Sequence, residues 1–334
     1  MIHHPTTSQV INLLPVKLSD EASLAQNVAQ GLSQIPKTLS SRFFYDAKGS
    51  QLFQQIMALP EYYLTELEYQ IFKKQRKEIL YAFGTQAPFQ LIDLGAGDAY
   101  KTKLLLQELV DQEAHFSFIP LDISQEPLHQ LVEELGHLYP HLPVTGLAAD
   151  YFQGLHWLNE HSKDRKLVLF LGSNIGNFSP VEAEGFLLKL RSSLAPQDRL
   201  LIGIDLRKDP RKIRLAYDDS AGVTAAFNLN LLARINHELQ ADFDLDQFEH
   251  FAEYNPISGT MRSYLVSRQN QEVHVKALNR TFHFEAWEAI HTENSHKYSL
   301  REIQEMAKRC HLAIDDVFTD ASHGFADVLL RPVG

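Results

Sequence analysis

The 334-residue chain contains a single cysteine, no long apolar segment and no excess of basic residues. The lone Cys310 excludes an internal disulfide framework and a cysteine-ligated metal cluster, and it is typical of proteins from a reducing compartment. No apolar run approaches the roughly 18 residues that a membrane-spanning helix requires. Residues 1–5 lack the charged and apolar regions of a signal peptide. We therefore expect a soluble, cytoplasmic protein without a membrane partner.

A basic surface is also lacking, because 42 acidic residues outnumber 31 lysines and arginines and give a net charge of −11. Proteins that bind nucleic acids must neutralise phosphates and usually carry a basic patch. The basic segment 73–76 is short, and we expect it on a solvated helix face. That helix is expected to begin at Thr65, with Glu68 completing a capping box. The sequence therefore predicts a small-molecule substrate and no nucleic-acid partner; it is compatible with a monomer but does not determine the oligomeric state.

The sixteen histidines are scattered along the chain, and they form no recognised metal-binding motif. Residues 237–241 begin with His237 and Glu238 but end in Ala241, where a His-Glu-x-x-His zinc motif requires its second histidine. Histidines on the surface or in the core explain this distribution better than metal ligands do. We therefore expect no bound metal.

Predicted strands and helices alternate from about residue 89 to residue 205, which is typical of a parallel α/β sheet. Continuous apolar runs predict buried strands at 89–94, 116–121, 144–149, 166–171 and 199–204. The later pattern predicts helix over 208–239, an antiparallel strand pair at 263–268 and 273–284, and closing strands at 313–318 and 326–330. We expect a core domain of residues 1–205 and 295–334 and an inserted domain of residues 206–294.

The first predicted strand ends in a glycine-rich turn, Gly95-Ala96-Gly97. Glycine lets the backbone turn tightly and approach a ligand closely, and open sheets bind ligands at the carboxyl ends of their strands. A tight turn without any ligand would have the same sequence. A dinucleotide-binding loop requires a third glycine where this chain has Tyr100, so a pyrophosphate ligand is disfavoured. S-adenosylmethionine (SAM) has no phosphate and fits better, with Lys101 available for its carboxylate.

Acidic residues follow the next two predicted strands. Asp122 ends the second strand, and Asp150 with Tyr151 follows the third. A carboxylate at such positions can accept hydrogen bonds from ribose hydroxyls or an adenine amino group, and an adjacent ring can pack on the base. Each acid alone could instead cap a helix. Their occurrence at successive strand ends favours a nucleoside ligand.

The segment after the fourth predicted strand, Leu-Gly-Ser-Asn-Ile-Gly-Asn-Phe at 171–178, resembles a signature of the histidine-specific SAM-dependent methyltransferases. These enzymes make Nα-trimethylhistidine (hercynine) in ergothioneine biosynthesis. Further blocks resemble the family in the same order, at 44–46, 59–63, 216–228, 241–250 and 292–297. The resemblance covers roughly residues 35–330. It implies a Rossmann-like class I SAM-dependent methyltransferase core with an inserted α+β substrate-binding domain.

The resemblance also implies roles for individual residues. SAM is expected as cofactor and L-histidine as the substrate that is methylated successively on its α-amino group. The residues expected to bind SAM are Tyr45, Gly95, Lys101, Asp122, Asp150 and Tyr151. Those expected to bind the amino acid are Tyr62, Asn177, Tyr217, Glu293 and Ser295, the last two reading the imidazole ring. Tyr45 and Asn177 are the residues expected at the reacting centre.

The chain departs from the family pattern at several positions. Ser263 stands near where some members have a methionine at the imidazole pocket, and Asn294 and His296 also differ from common choices. Asp98 adds an anion near the expected SAM tail. These departures leave open a different amino acid or small amine as substrate, the number of methyl groups transferred, and a non-catalytic regulator that binds SAM or an amino acid.

Overall fold

The computed structural model describes residues 8–14 and 20–333, so the signal-peptide expectation for residues 1–5 lies outside the described residues. The strands are β1 (Gln9–Asn12), β2 (Lys37–Thr38), β3 (Phe89–Leu94), β4 (Phe116–Asp122), β5 (Thr145–Ala148), β6 (Arg165–Phe170), β7 (Arg199–Asp205), β8 (Phe248–Asn255), β9 (Thr260–Ser267), β10 (Gln271–Val275), β11 (Arg280–Phe284), β12 (Ala289–His296), β13 (Leu312–Thr319) and β14 (Phe325–Pro332). The α-helices are α1 (Asp20–Gly31), α2 (Ala47–Met57), α3 (Tyr63–Phe83), α4 (Thr102–Asp111), α5 (Gln125–Leu138), α6 (Tyr151–His161), α7 (Pro180–Ser192), α8 (Pro210–Leu215), α9 (Val223–Leu239) and α10 (Leu300–Arg309).

The chain divides into two compact units, of which the first contains the described residues 8–14, 64–206 and 298–333. Its described strands form one sheet in the order β1-β5-β4-β3-β6-β7-β14-β13, parallel except for β14, which runs antiparallel to both of its neighbours. All six residues of β3 are buried, as a strand covered on both faces requires. This order confirms the predicted doubly wound, Rossmann-like sheet.

Two apolar layers cover the faces of this sheet. Helices α3, α4 and α5 supply one layer, which includes Phe72, Leu106 and Leu131. Helices α6, α7 and α10 supply the other, which includes Leu158 and Phe186. The order of strands reverses between β3 and β6, and ligands of open α/β sheets bind at the carboxyl ends of the strands beside such a switch point.

The second unit contains the described residues 20–63 and 207–297. A sheet in the order β2-β12-β9-β8 and a separate β10-β11 hairpin pack with α1, α2 and α9 around one apolar core. Helix α9 joins these parts, because Phe227 on one of its faces lies 4.7 Å from the Phe44 ring and Leu232 is fully buried. The helix is apolar enough to be covered on several sides.

Three features differ from the sequence-based expectations. Residues 20–63, expected in the core domain, pack into the second unit, because apolar residues of α1 and α2 such as Leu24 and Ile56 join its core. The segments 263–268 and 273–284 were expected to pair with each other; this is wrong, since β9 pairs with β8 and β12 while β10 pairs with β11. Helix α3 begins at Tyr63, so Thr65 lies inside its first turn and does not cap it.

Among residues 8–14 and 20–333, no helix is long and apolar enough to cross a bilayer. The longest, α3, carries charged residues along most of its length, with Lys73 and Lys74 exposed or partly exposed near its middle.

Candidate active site

The carboxyl edge of the first unit's sheet carries the glycine turn and the first of the predicted acidic residues. Gly95 directly follows β3 with a φ of +76°, a left-handed conformation that strongly favours glycine. The N–H of Gly97 donates to Asp122 Oδ2 at 3.3 Å, and the N–H of Ser124 donates to Asp122 Oδ1 at 2.9 Å. A carboxylate has about four acceptor positions, so half-buried Asp122 can still accept hydrogen bonds from a ligand.

Tyr151 lies over the glycine turn. A Cβ atom placed on Gly95 would lie 3.1 Å from the Tyr151 hydroxyl oxygen, so the close approach of these residues depends on glycine. The Tyr151 ring packs edge-on against Phe170, with ring centroids 5.7 Å apart. Burial, reinforced by the carboxylates of Asp122 and Asp93, raises the pKa of Tyr151 to about 12 and keeps its hydroxyl neutral. The fold thus brings Gly95, Asp122 and Tyr151 together.

Asp150 already has a structural role. Its Oδ1 atom accepts hydrogen bonds at 3.0 Å from the backbone N–H groups of Phe152 and Gln153, which makes it the N-cap of α6. This is the helix-cap alternative that the sequence left open. Among the described residues no hydrogen bond reaches its second oxygen, which remains available to a ligand. The two roles are compatible because they use different oxygens.

Lys101 is held by a residue whose importance the sequence did not reveal. Its ammonium forms an ion pair with Glu68, which is fully buried and accepts from the Gly172 N–H at 2.8 and 3.0 Å. A Cβ atom on Gly203 would collide with the Glu68 carboxylate, so β7 also makes room for it. Lys101 is therefore tied to the turn after β6.

The position of Glu68 corrects its interpretation as a capping residue. The signal that could have revealed its burial is helical spacing, because Glu68 follows Leu64 by four residues and precedes Ile71 and Phe72 by three and four. All three apolar neighbours are buried, so Glu68 lies on the apolar face of α3. A fully buried carboxylate requires such compensating partners.

A second buried acid lies beside Glu68. Asp327 on β14 pairs in register with Gly203 and is fully buried, and no N–H or O–H group of the described residues donates to its carboxyl oxygens. Burial and then the neighbouring Glu68 raise the pKa of Asp327 well above its usual value, against the opposing effect of Lys101. Asp327 therefore holds its proton more tightly than an exposed carboxyl group does. Asp327 was not predicted from the sequence, which shows only a strand pattern there.

Asp93, on β3, stabilises the glycine turn. Thr102 Oγ1, at the start of α4, donates to Asp93 Oδ2 at 2.6 Å. Burial raises the pKa of Asp93 to about 6, while the hydrogen bond from Thr102 and the charge of Lys101 oppose the rise. The bond joins the end of β3 to the start of the next helix across the turn.

Asn177 is the predicted substrate residue that belongs to the first unit. It ends a short 3₁₀ helix, Asn174–Asn177, in the loop that follows β6, and its side chain is exposed. Ser173 begins this turn with a φ of +59°, and its Oγ accepts from the Asp205 N–H at 2.9 Å. The loop is therefore anchored to β7 while Asn177 remains accessible.

The predicted residues Tyr45, Tyr62 and Tyr217 belong to a chain of rings in the second unit. The Tyr45 ring lies 5.4 Å from Phe53, Phe53 lies 6.2 Å from Tyr62, and Tyr62 lies 6.4 Å from Tyr217, all edge to face. Tyr45 is 49% exposed, whereas Tyr217 is buried. Aromatic ring faces are electron-rich and attract cations such as methylated ammonium groups.

Strand β12 carries Glu293 and Ser295, the two residues expected to recognise an imidazole ring. Tyr217 donates from its hydroxyl to Ser295 Oγ at 2.7 Å. Withdrawal from water raises the pKa of partly buried Glu293 to about 7, and the positive charge of Lys297 opposes the rise. Ser263 lies opposite Glu293 in the sheet register, and its buried hydroxyl has no hydrogen-bond partner among the described residues. Glu293, Ser295 and Tyr217 are thus neighbours.

Within the part of the chain that the structure describes, no group of three or more His, Cys, Asp or Glu side chains is arranged to hold a metal ion. The one cysteine, Cys310, is buried, and its thiol lies 3.6 Å from the Glu184 carbonyl oxygen.

Comparisons with known proteins identify relatives over nearly the whole chain. A sequence profile of the "Histidine-specific methyltransferase, SAM-dependent" family matches residues 24–332. The histidine N-alpha-methyltransferase of Mycolicibacterium smegmatis is 42% identical over 292 residues, which cover 87% of this chain and 89% of that one. The Mycobacterium tuberculosis protein of the same name is 38% identical over 83% of this chain and 84% of its own. Ergothioneine biosynthesis protein 1 of Schizosaccharomyces pombe is 33% identical over 91% of this chain but 39% of its own.

Proposed function

The chain belongs to the histidine-specific, SAM-dependent methyltransferase family, and from this we propose that it methylates the α-amino group of L-histidine successively to Nα,Nα,Nα-trimethylhistidine, as in ergothioneine biosynthesis. It is an enzyme whose cofactor is SAM. The observation that carries the proposed substrate is the match, over most of both chains, to two histidine N-alpha-methyltransferases at 42% and 38% identity.

The carboxyl edge of the first unit fits SAM. The cradle at Gly95, which a Cβ atom would fill, and the unused acceptor positions of Asp122 suit a nucleoside with free hydroxyl groups. In this proposal Asp122 accepts from the ribose, the second oxygen of Asp150 accepts from the adenine amino group, and Tyr151 packs against the base. Lys101 pairs with the carboxylate of the amino-acid tail. When bound, SAM supplies an electrophilic methyl group on a sulfonium.

The protein's part in the reaction is to position an uncharged amine. Methyl transfer from a sulfonium is an in-line displacement, so orientation supplies much of the rate enhancement. We propose that Tyr62, Asn177 and Tyr217 bind the amino and carboxylate groups of the substrate. Neutral amide and phenol groups can orient an amine without an anion that would hold its proton. Tyr45, half exposed in the aromatic group, is proposed to lie at the reacting centre and to favour the cationic product.

The side chain of the substrate is proposed to be read by Glu293 and Ser295. A carboxylate that accepts from a ring N–H discriminates against side chains without that donor, because the buried carboxylate would then remain unpaired. With its pKa near 7, Glu293 becomes a good acceptor as the pH rises through neutrality. We also propose a cytoplasmic location, since the single buried cysteine suits a reducing compartment.

The proposal is tested by mass spectrometry of purified protein incubated with SAM and all twenty amino acids. Histidine that gains three methyl groups is the expected result. If a different amino acid is methylated, the proposed substrate is wrong and the second candidate function, N-methylation of another amino acid, is favoured. The buried hydroxyl of Ser263, which has no hydrogen-bond partner among the described residues, supports this second candidate. No methylated product despite measurable SAM binding would reject the proposed reaction.

A further inference from the structure

Lys297 directly follows β12, yet neither the proposed cofactor binding nor the proposed chemistry uses it. Its side chain is fully buried in the second unit. The ammonium donates to Tyr217 Oη and to Ser295 Oγ, both at 2.8 Å, and lies 4.6 Å from the centroid of the Tyr217 ring. Burying a lysine is costly, so its charge and its hydrogen-bonding direction need a functional reason.

The direction of these hydrogen bonds follows from their chemistry. An ammonium group has donors and no acceptor, so both hydroxyl oxygens accept from Lys297. A third hydrogen bond joins Tyr217 Oη to Ser295 Oγ at 2.7 Å, and the more acidic phenol is its donor. Ser295 Oγ therefore accepts two hydrogen bonds, which occupy both of its lone pairs. Its own hydrogen can only be donated to a third partner.

Glu293 supplies the complementary group. It lies two residues before Ser295 on the same strand, so both side chains leave the same face of the sheet. Its ionised carboxylate accepts hydrogen bonds and donates none. Once Glu293 is ionised, this face therefore presents one acceptor, Glu293, and one fixed donor, Ser295.

Building on the proposed function, we propose that Lys297 is a positioning residue that fixes Ser295 as a hydrogen-bond donor, so that the enzyme takes the neutral imidazole ring of its substrate. The ring N–H donates to Glu293, and the unprotonated ring nitrogen accepts from Ser295. A doubly protonated imidazolium would direct an N–H at the Ser295 O–H and is excluded. The charge of Lys297 also opposes the rise in the pKa of Glu293 that burial causes, and so it favours the ionised, accepting form of that residue.

The test compares L-histidine with β-(2-pyrrolyl)-L-alanine, whose ring retains an N–H but has a C–H in place of the accepting nitrogen. Initial rates of methylation give kcat and KM for each amino acid with the wild-type enzyme, Lys297→Met and Ser295→Ala. Lys166→Met is the control, because Lys166 is also buried but pairs with Asp198 in the first unit. Thermal melts and SAM affinity show whether each variant is folded.

We expect the wild-type enzyme to prefer histidine by about a hundredfold in kcat/KM, since an unpaired buried donor is strongly disfavoured. In Lys297→Met the Ser295 hydroxyl is free to reverse, so the preference should fall about tenfold, mainly through KM for histidine, while KM for SAM is unchanged. Ser295→Ala should lose the preference to a similar extent. Lys166→Met should keep the wild-type ratio.

Two results would overturn the inference. One is a folded, SAM-binding Lys297→Met enzyme with the wild-type preference. If Lys297→Met does not fold, Ser295→Ala decides, because a wild-type preference without the Ser295 hydroxyl contradicts the proposed donor. Wild-type enzyme that does not methylate histidine would instead reject the proposed function together with this inference, so the two failures are distinguishable.

Discussion

The predicted acidic residues of the first unit and the hydroxyl groups of the second unit are held in different ways. At the sheet edge of the first unit, side chains bind backbone groups close to strand ends: Asp122 accepts from Gly97, and Asp150 caps α6. In the second unit, the Tyr217, Ser295 and Lys297 side chains bind one another although Tyr217 is 78 residues from Ser295 in sequence. The first arrangement follows from loops that the parallel-sheet fold creates. The second exists only after distant segments have folded together.

This difference predicts which substitutions separate the two sites. Changes in the side-chain network of the second unit should alter which amino acid is accepted and leave SAM affinity unchanged. Changes at the first unit's sheet edge should alter SAM affinity and leave amino-acid preference unchanged. Substitutions at four positions test the comparison, from the largest expected effect to the smallest.

Glu293→Ala should have the largest effect. Loss of the carboxylate leaves the imidazole N–H without its acceptor, so kcat/KM for histidine should fall by about a hundredfold to a thousandfold. The Kd for SAM, measured by calorimetry, should not change. Glu272→Ala removes an exposed glutamate of the same unit and is the matched control. An equal loss of SAM binding in Glu293→Ala would show that the two sites are not separable in this way.

Asp122→Ala should weaken SAM binding by about tenfold to a hundredfold, because a charged acceptor of hydrogen bonds is lost. The ratio of kcat/KM for histidine over other amino acids should remain as in the wild-type enzyme when SAM is saturating. Calorimetry with SAM and competition assays among amino acids measure the two quantities. Unchanged SAM affinity would remove Asp122 from the cofactor site.

Asp150 offers a sharper test because its two oxygens have different tasks. Serine is about as good an N-cap as aspartate, so Asp150→Ser should retain the melting temperature while SAM affinity falls about fivefold to tenfold. Asp150→Ala should lose the same affinity and also about 1 kcal/mol of folding stability. If Asp150→Ser binds SAM as well as the wild type, Asp150 is a helix cap alone.

How far the sequence predicts this structure depends on the same contrast between local and distant contacts. The strands β3, β4 and β7 were predicted within about one residue because continuous apolar runs encode burial on both faces. The glycine turn at Gly95 could also be predicted from the sequence, because it depends on local backbone geometry.

Strand pairing in the second unit was not predictable in this way. Strand β9 pairs with β12 across the intervening β10–β11 hairpin, and no local pattern encodes such a distant partner. Residues 20–63 show no change of composition that would assign them to either unit. Glu68 satisfied a local capping rule, and tertiary burial on the apolar face of α3 overrode it. The environments of Glu68 and Lys297 are consequences of packing and could not be derived from spacing.

Asp327→Asn should have the smallest effect and the clearest pH dependence. Burial and the neighbouring Glu68 raise the pKa of Asp327 in the folded protein above its unfolded value. A group with a raised folded pKa contributes full stability below its unfolded pKa, and this contribution is lost as the pH rises through the folded pKa. The contribution of Asp327 to stability should therefore decline as the pH rises above about 4, and the asparagine variant should lack this decline because it cannot ionise.

The effect is measured by thermal melts of both proteins between pH 5 and pH 9. We expect Asp327→Asn to melt at the higher temperature, by a difference that widens as the pH rises. The asparagine amide can still donate to Glu68, so the Lys101 ion pair and SAM affinity should be retained at neutral pH. Asp316→Asn on the adjacent strand makes the same chemical change at an exposed carboxylate, and its melting curves should follow the wild type. A difference in melting temperature that is constant across the pH range would mean that Asp327 has the same protonation state in the folded and the unfolded protein over that range, which would contradict its raised pKa.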